Sequence, residues 1–142
     1  MEEQVRFVGQ VSEEEKFGIL HLCDLYVSTS QHEGFGLVFL EGMAMGLPVV
    51  CYDYGGQADF LEDGQTGALV PLNDLARFEE RCRALIVEPA LRRRIGEENR
   101  ARVEPMFVDQ CAKRYEALFE EVASAAATNG AVGSRPPVGG AT

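Results

Sequence analysis

HEGFGLVFLEGMAMGLPVV, residues 32–50, reads as a glycine-bearing loop, a short helix and the start of a strand, and its oddity is Glu41. From Leu37 to Met45 all the other side chains are apolar or glycine, which predicts a helix buried all round. A carboxylate in such a place requires partners that replace water. Gly34 and Gly36 flank Phe35 where loop gives way to helix. Glycine there lets the backbone approach a ligand, and the first free N–H groups of the helix, with its dipole, form an anion site that needs no lysine.

On either side of this stretch, short β-rich runs alternate with helical ones. VRFVG (5–9), LYVST (25–29), PVVCY (48–52) and ALVP (68–71) are apolar on both faces, as parallel strands covered by helices are. Helices are expected from Glu13 to Cys23, where Ser12 and Glu15 form a capping box, after Gly36, and near Ala58–Leu61. The pattern predicts an α/β fold: a Rossmann-like open parallel sheet of about four strands with flanking helices. Ligands of such sheets sit beyond the carboxyl ends of the strands, here the loops 9–11, 30–36, 53–56 and 71–74. Gly55 and Gly56 read as a turn after a strand. Past Asp74 come helical segments near 75–87, 90–102 and 108–123, broken at Pro89 and Pro105. Residues 1–123 form one expected domain. Residues 124–142, small and rich in glycine and proline, form an expected disordered tail.

Composition narrows the function. Of 142 residues 46% are hydrophobic, enough for one core, and charge interrupts every apolar run before it reaches membrane-spanning length, so a cytoplasmic protein with no transmembrane segment is expected. The net charge is −10, and residues 1–64 hold twelve acids against Arg6 and Lys16. Such a surface repels nucleic acid. Arg92, Arg93 and Arg94 read as a solvated helix face. Cys23, Cys51, Cys82 and Cys111 lack any paired spacing and read as buried, reduced thiols. His21 and His32 have no ligand-spaced companion, so no metal site is expected.

The two acids Glu33 and Glu41 set the chemistry. Eight helical positions would separate them by about 12 Å along an axis, comparable to a diphosphate lying between a sugar and a ribose. Carboxylates repel phosphate and accept hydrogen bonds from hydroxyls, so each suits a hydroxyl-bearing end of such a ligand. Hydrolytic carboxylate pairs stand about 5 to 9.5 Å apart, which disfavours a glycosidase. Phe39 occupies the third glycine position of a dinucleotide fingerprint.

EGFGLVFLEGMAMGLPVV closely resembles the donor-binding motif of the GT-B retaining glycosyltransferases of the glycogen-synthase and sucrose-synthase-like group. VRFVGQVSEEE, LCDLYVSTS and YDYGGQADFLEDGQTGALVPLND are similar to that family's consecutive strand-and-loop segments, so the resemblance covers about residues 5–120. It implies the C-terminal part of a GT-B donor domain. Glu33 resembles the motif's first glutamate, which contacts the donor sugar and is the catalytic candidate; Glu41 resembles the second, which binds ribose hydroxyls. Gly34, Phe35, Gly36 and Leu37 correspond to backbone facing sugar and diphosphate, and Gly9–Val11 to the surroundings of the base. The implied reaction transfers a sugar from a nucleoside diphosphate with retention and without cofactor or essential metal.

Gly42 stands where the family prefers alanine, a change worth about 1 kcal/mol against a helix. Thr29 replaces a proline, and Asp59 a glutamate. The family's diphosphate-neutralising basic residues and acceptor domain lie upstream of the matched segments, so an N-terminal acceptor domain or a partner subunit is implied. Three readings follow: the donor half of an active enzyme, a natural short subunit completed by a partner chain, and a non-catalytic interaction domain.

Overall fold

The computed structural model describes residues 4–130, with side chains through residue 127. It divides into two units at Glu104–Pro105. In the first, α1 (Glu13–His21) leads to β1 (Tyr26–Val27), α2 (Leu37–Ala44), β2 (Val49–Tyr52), a 3-10 turn at Gly56–Asp59, β3 (Gly67–Val70), α3 (Leu75–Val87) and α4 (Pro89–Val103). The strands are parallel in the order β1-β2-β3, with Tyr26 opposite Val49 and Val49 opposite Gly67.

Local chemistry explains the helix ends. Ser12 Oγ accepts from Glu15 N while the Glu15 carboxylate accepts from Ser12 N, the expected reciprocal box. Asp74 caps α3 by accepting from Arg77 N at 3.0 Å, and Pro89 opens α4, where its missing N–H costs nothing. At the end of α2, Gly46 takes φ 78°; its N–H reaches the Met43 carbonyl and that of Leu47 the Gly42 carbonyl. This pair of bonds is a Schellman motif, and Pro48 then begins the strand.

The alternation within β2 builds two cores. Val49 and Cys51 pack with Phe39, Met43, Phe60, Leu61 and Val103; Val50 and Tyr52 face the other way, among Ala68, Val70, Phe78, Leu85 and Ile95. Helix α4 serves both, through Ile95 and Val103. It comes close because Gly96 lies against the backbone of Gly46, where a Cβ would stand 2.2 Å from the Gly46 oxygen. Asn99, one turn on and fully buried, donates to the carbonyls of Leu47 (2.8 Å) and Thr66 (2.9 Å), satisfying two strand-flanking acceptors at once.

Five sequence expectations change. VRFVG at 5–9 is not a strand: Val5, Phe7 and Val8 are 58%, 93% and 49% exposed, and without a neighbour to pair with, an apolar run has no ladder to join. The sheet has three strands among the described residues. Only Cys51 is a buried thiol, with its pKa pushed up to about 12 by burial and then by Asp53, whereas Cys23 is exposed just past α1; all four cysteines are free. Arg92 does not extend into solvent: its guanidinium donates to the Leu85 and Ile86 carbonyls that end α3 and pairs with Asp24. The helical segment expected near Ala58–Leu61 is the 3-10 turn Gly56–Asp59, which begins two residues earlier.

The second unit carries α5 (Val108–Gly130). The helix runs seven residues beyond Ala123, through Ala125, Ala126 and Ala127, where alanine's helix propensity favours continuation, and residues 131–142 of the expected tail lie outside the described residues.

Replacing Asn99 with alanine leaves the Leu47 carbonyl without a donor and the Thr66 carbonyl with Val49 N–H alone. The expected loss is about 1 to 3 kcal/mol, measured as a lower midpoint in urea unfolding of the full chain with an unchanged slope.

Candidate functional site

The strands are parallel and adjacent, so the segments leaving them share one edge of the sheet: 28–36 after β1, 53–56 after β2 and 71–74 after β3. Contacts join all three. Glu33 and Gly55 form an isolated parallel bridge, and Gly56 N donates to the Glu33 carbonyl at 3.1 Å. On the far side Gln31 Nε2 donates to Asn73 Oδ1 at 2.9 Å.

The glycine pair does more than turn the chain. A Cβ on Gly56 would stand 2.0 Å from the Gly34 oxygen and one on Gly55 2.6 Å from the Glu33 oxygen, so backbone meets backbone only because both lack side chains. Gln57 locks this arrangement. Fully buried, it donates through Nε2 to the Tyr52 and Tyr54 carbonyls, both at 2.8 Å, which fixes the path of 52–56 on which the Glu33 loop rests. Sequence reasoning passed over Gln57 and Asn73; the one available signal was a polar residue directly after a glycine pair.

Each expected site residue sits at or near this edge. Gly36, at φ 87°, is the N-cap of α2 and offers no side-chain cap, leaving the first helix amides to other acceptors. A Cβ on it would strike the Phe39 ring at 2.6 Å. A side chain at Gly34 would meet no protein atom, so packing within the chain does not demand glycine there. Phe35 is half-exposed and leans on Phe60, with centroids 5.4 Å apart. The Glu33 carboxylate, partly buried, has no partner among the described residues.

Helix α2 is not buried all round. Phe39, Gly42 and Met43 face the core, but Leu37 is 65% and Val38 40% exposed, and Glu41 lies on the same stripe with its side chain 29% exposed. The stripe is open at Leu37 and Val38, whereas at Glu41 α1 reaches it through Lys16. The separation of the two acids changes as well, because Glu33 lies in a strand-like bridge outside the helix and a continuous helical rise does not apply. Glu41 Oε1 accepts from Lys16 Nζ at 2.8 Å, and Lys16 also reaches Glu13 at 2.8 Å. Burial raises the Tyr26 phenol pKa, Glu41 and Glu33 raise it further and Lys16 opposes them, so all three charges surround one tyrosine. Gly42 has a packing reason: a Cβ there would come within 3.0 to 3.2 Å of Tyr26.

The architecture of this edge is that of sugar-transferring enzymes with the GT-B fold. Residues 1–102 match the family model of the glycosyl transferases group 1, and the chain belongs to that family. It is 35% identical over 102 residues to glycogen synthase of Mycobacterium tuberculosis, covering 72% of this chain and 25% of that one. Among solved structures, sucrose-phosphate synthase from Thermosynechococcus elongatus superposes with a TM-score of 0.77 at 31% identity, over 87% of this chain and 31% of that one. A TarM mutant of S. aureus, solved in complex with UDP among other ligands, gives a TM-score of 0.65 at 30% identity over 72% of this chain and 21% of that one. The chain spans about a quarter to a third of the length of the curated relatives it matches. Among the described residues no helix is long and apolar enough to cross a membrane.

Gly56→Ala tests the backbone contact. Displacing Gly34 by the volume of a methyl group is expected to cost about 1 to 3 kcal/mol and to shift the amide resonances of 33–36 while leaving those of α3 in place. Two-dimensional NMR with thermal unfolding reads both.

Proposed function

We propose that this chain is the donor-binding part of a retaining glycosyltransferase, whose whole enzyme moves a sugar from a nucleoside diphosphate to an acceptor. The observation that carries the reading is the bridge between Glu33 and Gly55, which supports a site at the carboxyl ends of the strands with the start of α2 beside it. Glu33 faces the transferred sugar and is the catalytic group. Gly34, Phe35, Gly36 and Leu37 line the sugar and diphosphate, and Glu41 accepts from the ribose hydroxyls. UDP in the TarM structure supports a nucleoside diphosphate as the ligand.

The physical logic is a division of labour. The uncapped N-terminus of α2 attracts the diphosphate and stabilises the negative charge that grows on it as the sugar leaves. The two carboxylates, which would repel phosphate, engage neutral hydroxyls at the two ends. Arg6 and Lys16 are the only basic side chains before residue 65, so the remaining charge on the leaving group is met by cations from an N-terminal acceptor domain or partner subunit. The reaction uses no resident cofactor and no essential metal, and the protein works in the cytoplasm.

Calorimetric titration of the chain with UDP, GDP and ADP is expected to give a weak response to one base and no sugar transfer. Glu41→Gln, which halves the acceptor capacity toward ribose, is expected to weaken that response about tenfold. A folded sample silent toward all three nucleotides would remove the donor-site reading and favour an interaction domain.

A further inference from the structure

We propose that Lys16 is the positioning residue for Glu41, an inference that rests on the donor-site reading above. Lys16 is one of two lysines in the chain. It is delivered by α1, whose capping box fixes the first turn, and its ammonium bridges Glu13 Oε2 and Glu41 Oε1, each at 2.8 Å. Glu13 is largely exposed, whereas Lys16 and Glu41 are each about 70% covered. The Lys16 ammonium also lies over the Phe17 ring, with Nζ 4.9 Å from its centroid. Those two contacts limit where the ammonium can go.

The consequence falls on Glu41. Nothing else among the described residues hydrogen-bonds its carboxylate, so the lysine alone selects one rotamer of a side chain that otherwise sweeps the open Leu37–Val38 stripe. A carboxylate has about four acceptor sites. Lys16 occupies one, on Oε1, and Oε2 is left for a vicinal pair of hydroxyls. Glu13, Lys16 and Glu41 together carry one negative charge instead of two, which lessens the repulsion of a nearby diphosphate. Both side chains still reach solvent, at 29% exposure each, so the pair adds only modestly to folding stability and its effect is read in binding.

The two parts of that effect separate. Loss of charge weakens every phosphate-bearing ligand alike, while loss of positioning weakens only ligands with the ribose 2′-hydroxyl. The test titrates the full chain with UDP, GDP and ADP and with their 2′-deoxy counterparts, followed by NMR so that millimolar binding is seen, for wild type, Lys16→Met, Lys16→Arg, Glu41→Gln and Lys16→Met with Glu41→Gln. Circular dichroism checks that each variant is folded. The expected result is a wild-type preference for the ribonucleotide that falls about fivefold in Lys16→Met, is mostly kept in Lys16→Arg, and does not fall further when Lys16→Met is added to Glu41→Gln. A Lys16→Met variant with an unchanged or increased preference, or with equal weakening of ribo- and deoxynucleotides, overturns the inference and leaves the donor site standing. Wild type that binds none of the six nucleotides overturns both.

Discussion

Helix α2 is held at both ends by backbone pressed against backbone, and the rest of the arrangement depends on that. At its start, Gly55 and Gly56 let the end of β2 lie directly on Glu33 and Gly34. At its finish, Gly96 lets α4 lie directly on Gly46. Contacts this short require a glycine on one side, here Gly55, Gly56 and Gly96, and they leave no slack. The helix is therefore fixed along its axis, and both carboxylates are fixed with it: one just before the helix, the other one turn in.

Two buried amides secure the same frame from within. Gln57 ties the chain leaving β2, and Asn99 ties the residues entering β2 and β3. Each spends both N–H donors on backbone carbonyls, three of them left over by the sheet and one, that of Thr66, shared with Val49 N–H. The side-chain oxygens of both have no partner among the described residues, so the stabilisation comes from the donor side. Apolar residues of the same volume would fill the space and orphan the carbonyls of Tyr52, Tyr54 and Leu47, while Thr66 would keep Val49 N–H.

Electrostatics act differently at the two ends of the sheet. Past the carboxyl ends of the strands the charges are mostly acidic and few are paired: Glu33 stands without a partner and Glu41 has only Lys16. At the opposite end Arg92 and Arg100 are committed to backbone carbonyls, Arg92 at the end of α3 and Arg100 at Met45 at the end of α2, where cations suit the helix dipole. Arg92 and Arg100 thus serve the fold, while the edge past the carboxyl ends of the strands keeps the Glu33 carboxylate unpaired among the described residues.

Much of this was legible in the sequence because it is local. Period and composition mark the parallel strands at 26–27, 49–52 and 67–70, Ser12 and Glu15 mark a helix start, and Gly34 with Gly36 marks the handover to α2. The resemblance of EGFGLVFLEGMAMGLPVV to a glycosyltransferase motif pointed to the family that the match over residues 1–102 shows. Tertiary structure alone decided what depends on a distant neighbour. VRFVG has the composition of a strand but no strand beside it, and a ladder needs two. The face of α2 bearing Leu37, Val38 and Glu41 looked buried because apolarity reports what a side chain tolerates, whereas exposure depends on whether another element arrives to cover it. The pairing of Glu41 with Lys16, 25 residues earlier, follows from α1 reaching α2 in space, and no periodicity along the chain encodes that meeting.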